Sequence, residues 1–295
     1  MQALSFYLFY PLIYLIASLP FWALYIVSDF FYYLLLLSGY RKKIVLNNLK
    51  NSFPEKSASE IHLIYKEYYR YLCDLVFETL KTLKMTEKQA KERCLFHNPE
   101  WLDTLYQQQK SILIVMGHYG NWEWAGPGFS LNTKYQLVVI YLPLTNPYFE
   151  KMMTRMRTKF GTKITPAVNT LREMVANRKQ VTATALIADQ TAWADQAYWT
   201  TFLNQDTAVF TGPEKLAKKF DYPVVYMNVK RMRRGYYEIT PELLFEHPKE
   251  TSEGEISERF TNRLEQEIRL MPATWLWSHR RWKYSRITHE ALTTH

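Results

Sequence analysis

The hydrophobic pattern divides the chain at about residue 40. From Met1 to Tyr40 it is almost wholly aliphatic and aromatic, with Asp29 as the only charged side chain and prolines at Pro11 and Pro20. A helix needs about 20 apolar residues to span the hydrocarbon core of a bilayer. The stretch Phe6 to Leu37 therefore predicts one tilted membrane span plus an interfacial turn, kinked at Pro20. A cleaved signal peptide fits less well, because no basic residue precedes the run and the run outlasts an ordinary apolar signal core. A buried core helix would need a large core on every face. Arg41-Lys42-Lys43 and Lys50 follow directly, whereas the N-terminal flank carries no basic side chain. The positive-inside rule then places the rest of the chain in the cytoplasm.

Beyond residue 40 polar and apolar positions alternate in two periods. Residues Glu60 to Leu83 place Ile61, Ile64, Tyr65, Tyr68, Leu72, Leu75, Val76 and Leu80 at helical spacing, with Ser57 or Ser59 as the cap. Short apolar runs then alternate with helical patterns. Strands are expected at Ile112 to Met116, Gln136 to Tyr141, Val181 to Ala188, Pro223 to Lys230 and Tyr236 to Thr240. Helices are expected at Pro99 to Gln109, from Trp122, at Asn146 to Phe160, Asn169 to Arg178, Gly212 to Phe220 and Glu255 to Leu270. The predicted fold class is α/β, a mixed sheet flanked by helices with an N-terminal hydrophobic membrane helix. The expected organisation is an anchor over 1–40, a helical segment over 41–95 and an α/β domain over 96–295. Neither internal repeats nor a low-complexity linker interrupts it.

Charge narrows the partners. Thirty-seven basic against 28 acidic residues give a formal +9, which suits an anionic membrane surface, nucleic acid or an acidic protein. With the apolar N-terminus the membrane reading leads, and no zinc-finger pattern or aromatic RNA-binding signature supports nucleic acid. Cys73 and Cys94 lie far apart and outside any Cys-x-x-Cys pattern, as a reduced compartment permits. No metal or other cofactor is expected, since there is neither a His-Glu-x-x-His nor a Cys-rich ligand set.

The candidate chemistry sits in Ser111-Ile-Leu-Ile-Val-Met-Gly-His-Tyr-Gly-Asn-Trp-Glu-Trp124. Five positions on an ideal helix turn through about 500°, leaving His118 and Glu123 about 140° apart. A strand-turn-helix junction at Gly117 and Gly120 removes that obstacle, so Glu123 is expected to orient His118 as a general base. A strand end followed by a Gly-rich turn is also where α/β folds hold ligands. No Gly-x-Ser-x-Gly nucleophile follows a comparable strand, which makes the substrate itself the nucleophile.

These residues carry a resemblance. Gly117-His118-Tyr119-Gly120-Asn121-Trp122-Glu123 resembles the His-x4-acid motif of the late acyltransferases of lipid A biosynthesis, within the lysophospholipid acyltransferase superfamily. Asn47-Asn48-Leu49 through Phe53-Pro54, Asn146-Pro147 with Arg155 and Arg157, and Ala188-Asp189-Gln190 resemble further segments of that family in the same order. So do Pro272, Trp275, Trp277 and His279-Arg280-Arg281-Trp282-Lys283. Gly117 stands where glycerolipid acyltransferases carry Asn, and Ala188-Asp189-Gln190-Thr191 where they carry Phe-Pro-Glu-Gly-Thr-Arg, so the glycerolipid branch is disfavoured.

The resemblance implies a fatty acyl chain moved from acyl carrier protein to a hydroxyl of a lipid A precursor, at the cytoplasmic face of the bacterial inner membrane. Other lipid acceptors, or a non-catalytic lipid-binding protein on the same fold, stand as alternatives. Asn121 or the amides of the Gly-rich turn are expected to stabilise the oxyanion. Arg157, and with it Arg155, is expected to hold anionic head groups, or else to belong to a charged helix face. Asp189 and Gln190 mark a second place where side chains converge, for substrate contact or for structure, and Glu214 lies at a helix start where an acid is favoured anyway. The cluster Arg280, Arg281 and Lys283 faces phosphates or the carrier protein, with Trp275, Trp277 and Trp282 at the membrane interface, or the tryptophans are core and the charges solvated.

Overall fold

The computed structural model describes residues 2–193, 195, 197–284 and 286. The apolar N-terminus forms two helices rather than one kinked span, α1 (Gln2–Ser18) and α2 (Phe21–Ser38). Pro20 adopts extended geometry at the start of α2 (φ −62°, ψ 154°). A proline is well placed to open a helix and poorly placed inside one, so the predicted kink is a complete break. Helix α2 is long and apolar enough to cross a membrane, with mean hydropathy 1.6, and only 17% of it is buried in the protein.

Both helices pack on α4 (Ala58–Lys81), which follows α3 (Lys42–Ser52). Ser57 caps α4 through a reciprocal pair with Glu60. Its predicted apolar face is buried at Ile61, Ile64, Tyr65, Tyr68 and Leu75, but Val76 is half exposed. Two acids on α4, Asp74 and Glu78, are fully buried and fasten α2 to it. Ser28 bonds Asp74 (2.7 Å) and Tyr25 bonds Glu78 (2.9 Å). Arg234 closes the network from the far end of the chain, bonding both Asp74 (2.6 Å) and Asp29 (2.8 Å). Asp29, the lone charge of the apolar stretch, is thus one side of an ion pair.

The remaining elements build a sheet with helices on both faces. In chain order these are α5 (Glu87–Arg93), β1 (Cys94–Phe96), α6 (Glu100–Gln107), β2 (Ile112–Met116), α7 (Trp122–Ser130), β3 (Gln136–Tyr141), α8 (Pro147–Thr158) and β4 (Lys163–Pro166). Then come α9 (Thr170–Ala176), β5 (Thr182–Ile187), β6 (Tyr198–Phe202), β7 (Gln205–Val209), α10 (Gly212–Phe220), β8 (Val224–Arg233), β9 (Tyr236–Phe245) and α11 (Glu255–Leu270). The sheet has seven strands in the order β1-β9-β8-β2-β5-β3-β4. Only the β8–β9 pair is antiparallel, so it is mixed as expected. Successive residues of β2 point to opposite faces. Ile112, Ile114 and Met116 enter one core and Leu113 and Val115 the other, which explains a strand apolar at every position.

The hairpin β6–β7 and the strands β1 and β4 add to the expected pattern, while α3 and α5 fall within the helical segment expected over 41–95. The register of β2 and β5 matters most for function. Met116 pairs with Ile187 and Ala188 donates to the Met116 carbonyl (3.0 Å), so the segments Gly117-His118 and Ala188-Asp189 leave the carboxyl edge of the sheet side by side.

Candidate active site

His118 lies in the turn between β2 and α7, part-buried, and its carboxylate partner is Asp189. Nδ1 sits 2.6 Å from Asp189 Oδ1, while the His118 backbone N–H donates to Oδ2 (2.8 Å) and Trp275 Nε1 donates to the same oxygen (2.7 Å). An ionised carboxylate only accepts, so Nδ1 carries the hydrogen and Nε2 keeps its lone pair. Nε2 faces the Gln190 amide at 3.3 Å, and the Trp122 ring packs edge-on against the imidazole at 5.0 Å. Burial alone would raise the Asp189 pKa, but the charge His118 carries when protonated and the three N–H donors outweigh it and hold the carboxyl below its ordinary range.

The expectation that Glu123 orients His118 is corrected by this geometry. In the first turn of α7, Glu123 accepts two bonds from Arg157 of α8, from Nη2 to Oε1 (2.6 Å) and from Nε to Oε2 (3.1 Å). A bidentate guanidinium offers a carboxylate more than one imidazole N–H can. The Arg157–Glu123 pair instead forms part of a pocket wall. Arg155 is exposed on the same helix and lies outside the pocket lining.

Asn121 is likewise not free to stabilise an oxyanion. It is fully buried and caps α7, accepting from the Trp124 N–H (3.0 Å) and donating to Glu78 (2.8 Å). Of the turn amides, that of His118 is bound to Asp189 and that of Gly120 to the Thr274 carbonyl (3.0 Å). Glu214 is also committed elsewhere. Although it lies in the first turn of α10, it accepts from Gly254 N (2.7 Å), Ser257 N (3.1 Å) and Ser257 Oγ (2.7 Å), satisfying the amino end of α11. It is outside the pocket lining.

The two glycines of the turn are fixed by close approach. A Cβ on Gly117 would stand 2.7 Å from Leu264 and 3.1 Å from Asp189 Oδ2, and one on Gly120 would stand 1.8 Å from the Val229 carbonyl oxygen. Gly120 also has φ +58°, which favours glycine. The backbone of the turn is thereby pressed onto α11 and β8.

The C-terminal motif closes the site from behind. Trp275 and Trp277 are core residues and Trp282 is part-buried, bonding Thr207 (2.8 Å), so the core alternative holds for the tryptophans. Asn48 grips the carbonyls of Trp277 (2.9 Å) and His279 (3.0 Å). His279 Nε2 accepts from Thr191 N (3.2 Å), next to Gln190. Arg280 and Lys283 are exposed, whereas Arg281 is buried with no hydrogen bond to Nε or Nη1. Burial pushes the Arg281 pKa down to about 10, against the opposing pull of Asp189.

His118, Glu123, Arg157 and Gln190 all line one cavity of about 870 Å³. Its inner wall runs under the sheet past Met116, Phe129, Leu137, Val139 and Met227. The volume is near the upper end for small-ligand pockets, and the lining suits an alkyl chain. His118, with the buried Asp189 behind it, thus stands in the wall of a largely apolar cavity. The chain matches the model of the bacterial lipid A biosynthesis acyltransferase family over residues 2–284 and belongs to that family. It is an acyltransferase. It is similar to the lipid A biosynthesis palmitoleoyltransferase of Escherichia coli (strain K12), with 24% identity over 251 residues that cover 82% of this chain and 79% of that protein. The lipid A biosynthesis acyltransferase of Shigella flexneri matches to the same extent, 24% over 251 residues.

Proposed function

We propose that the protein transfers a fatty acyl chain from the thioester of acyl carrier protein to a hydroxyl of a lipid A precursor, with His118 as general base and Asp189 as its orienter. The reaction takes place at the cytoplasmic face of the bacterial inner membrane, to which α1 and α2 hold the enzyme. The observation that carries this reading is His118 in the wall of the apolar cavity, held at Nδ1 by the buried Asp189 behind it. Its Nε2, which faces the Gln190 amide at 3.3 Å, is the ring nitrogen left to meet a substrate hydroxyl.

The donor's alkyl chain occupies the cavity beneath the sheet, which leaves its thioester beside His118. Nε2 takes the proton of the acceptor hydroxyl as the oxygen attacks the carbonyl carbon. The tetrahedral intermediate collapses by breaking the C–S bond, and the departing thiolate recovers the proton from the imidazolium. Asp189 keeps the ring in the required tautomer and offsets its transient charge. Because a thioester is already activated, no acyl-enzyme is needed. With Asn121 committed to its cap, the Gln190 amide is the side-chain donor nearest the developing oxyanion. Arg157 has guanidinium donors beyond the two given to Glu123 and directs them to the phosphate of the acceptor.

The reading is tested with purified full-length protein, radiolabelled acyl-acyl carrier protein and a lipid A precursor in mixed micelles. Label should move to the lipid with wild type and not with His118→Ala. Equal transfer by that variant, or transfer only from acyl-coenzyme A, would overturn the base or the donor respectively.

A further inference from the structure

The cavity opens at the carboxyl edge of the sheet through a rim of exposed aliphatic and aromatic side chains. Val168 is 91% exposed and Leu142 76%, and Leu144, Leu171 and Phe210 are also exposed, although all five line the cavity. They come from three separate segments, the loop after β3, the turn and helix after β4, and the residues before α10. Apolar side chains gathered from distant parts of a chain and held in water mark a surface that is covered in use.

Two features say what covers it. The rim is continuous with the apolar N-terminus, because Tyr148 at the start of α8 stacks on Phe6 (5.6 Å) and meets Tyr7 edge-on (5.7 Å). Asn146 adds a bond to the Gln2 carbonyl (3.3 Å), and α1 presents Leu4, Leu8 and Leu12 outward from there. The flanking exposed charges on α8, α9 and α10 include Lys151, Arg155, Arg172 and Lys215. Apolar tips collared by cations match an anionic bilayer surface, into which such groups sink to the headgroup and acyl boundary.

We propose that this rim is a membrane contact in its own right, through which acyl chains pass between the bilayer and the cavity without crossing water. It rests on the reading of the cavity as an acyl-chain site, but it adds an orientation. The carboxyl edge of the sheet faces the lipid and the opposite edge, where Glu246 after β9 pairs with Lys110 ahead of β2 (3.2 Å), faces the aqueous phase. It also gives the exposed Arg155 a role, as part of the cationic collar.

The test is the depth of nitroxide labels on the full chain in vesicles of phosphatidylethanolamine and phosphatidylglycerol. Cys73 and Cys94 are buried, so labelling is directed to an introduced cysteine. Labels at Leu142→Cys and Val168→Cys should show a several-fold higher ratio of oxygen to nickel-chelate accessibility than one at Glu246→Cys, close to that of Leu8→Cys on α1. If the rim labels read as aqueous as Glu246→Cys while Leu8→Cys reads as membrane-embedded, the proposal is wrong. Shielding that arises only on adding acyl carrier protein would assign the rim to that partner and also overturn it. No turnover enters the measurement, so a failure of the acyl-transfer reading shows separately, in the activity of His118→Ala.

Discussion

Asp189→Asn is the substitution that most sharply separates the geometry of this site from the nearer sequence pairing of His118 with Glu123. Two donors converge on Oδ2, His118 N–H at 2.8 Å and Trp275 Nε1 at 2.7 Å. The amide oxygen of the substituted side chain must stay there, which turns its NH2 toward His118 Nδ1. Nδ1 must then accept, the ring hydrogen moves to Nε2, and the base loses its lone pair. Loss of the orienting carboxylate and the wrong tautomer together predict a fall in kcat of about 10³–10⁴-fold, or about 4–5 kcal/mol of transition-state stabilisation. Glu123→Gln leaves His118 and Asp189 untouched and keeps an oxygen for Arg157, so its loss should be about tenfold. The assay is the initial rate of label transfer at saturating donor, with a thermal melt of each variant to confirm folding. A Glu123→Gln enzyme as impaired as Asp189→Asn, or an Asp189→Asn enzyme within about tenfold of wild type, would refute the assignment.

Three other expectations concern stability. Arg234→Met removes the arginine that joins Asp74 to Asp29, but Asp74 keeps Arg231 (2.6 Å) and Ser28 (2.7 Å) and the part-exposed Asp29 keeps Arg70 (3.8 Å), so the cost should be about 1–3 kcal/mol, visible as a lower melting temperature in detergent. Glu214→Ala leaves Gly254 N, Ser257 N and Ser257 Oγ without their acceptor and should cost about 1–3 kcal/mol, with little change in KM because Glu214 is outside the cavity. Burial holds the His279 pKa below its ordinary 6.5, with Asp189 pulling it up and nearby cations down. The unfolded chain therefore binds this proton first, so the folded state loses stability as the pH falls below 6.5 toward the folded value. His279→Gln should show a shallower loss of melting temperature between neutral and acid pH than wild type.

The central strands, the long helices and the glycine turn were legible because each is a local pattern. Ile112 to Met116 is apolar at every position, as a strand between two cores must be. His118 could be picked out for the same reason. Its true partner is 71 residues away, and only the pairing of Met116 with Ile187 brings it close. Asp189 was recognisable as a strand-end acid at the same sheet edge, but without the strand order nothing joined it to His118, and the nearer Glu123 took its place. Asn121 precedes an apolar helix and carries a cap signal of its own, which a functional reading obscured. The hydrogen-bond partners of Glu78, Asp74 and Glu214 all arrive from remote segments. The β6–β7 hairpin escaped notice because its turn is Leu203-Asn204, both at positive φ (49° and 62°), without the glycine that advertises such turns.

Mass spectrometry of lipid A from cells lacking the protein, complemented with wild type or with His118→Ala, bears most directly on the proposed activity. The account predicts that one secondary acyl chain is missing in the deletion, restored by wild type and still missing with His118→Ala. A lipid A unchanged by the deletion, or restored equally by the variant, would contradict it.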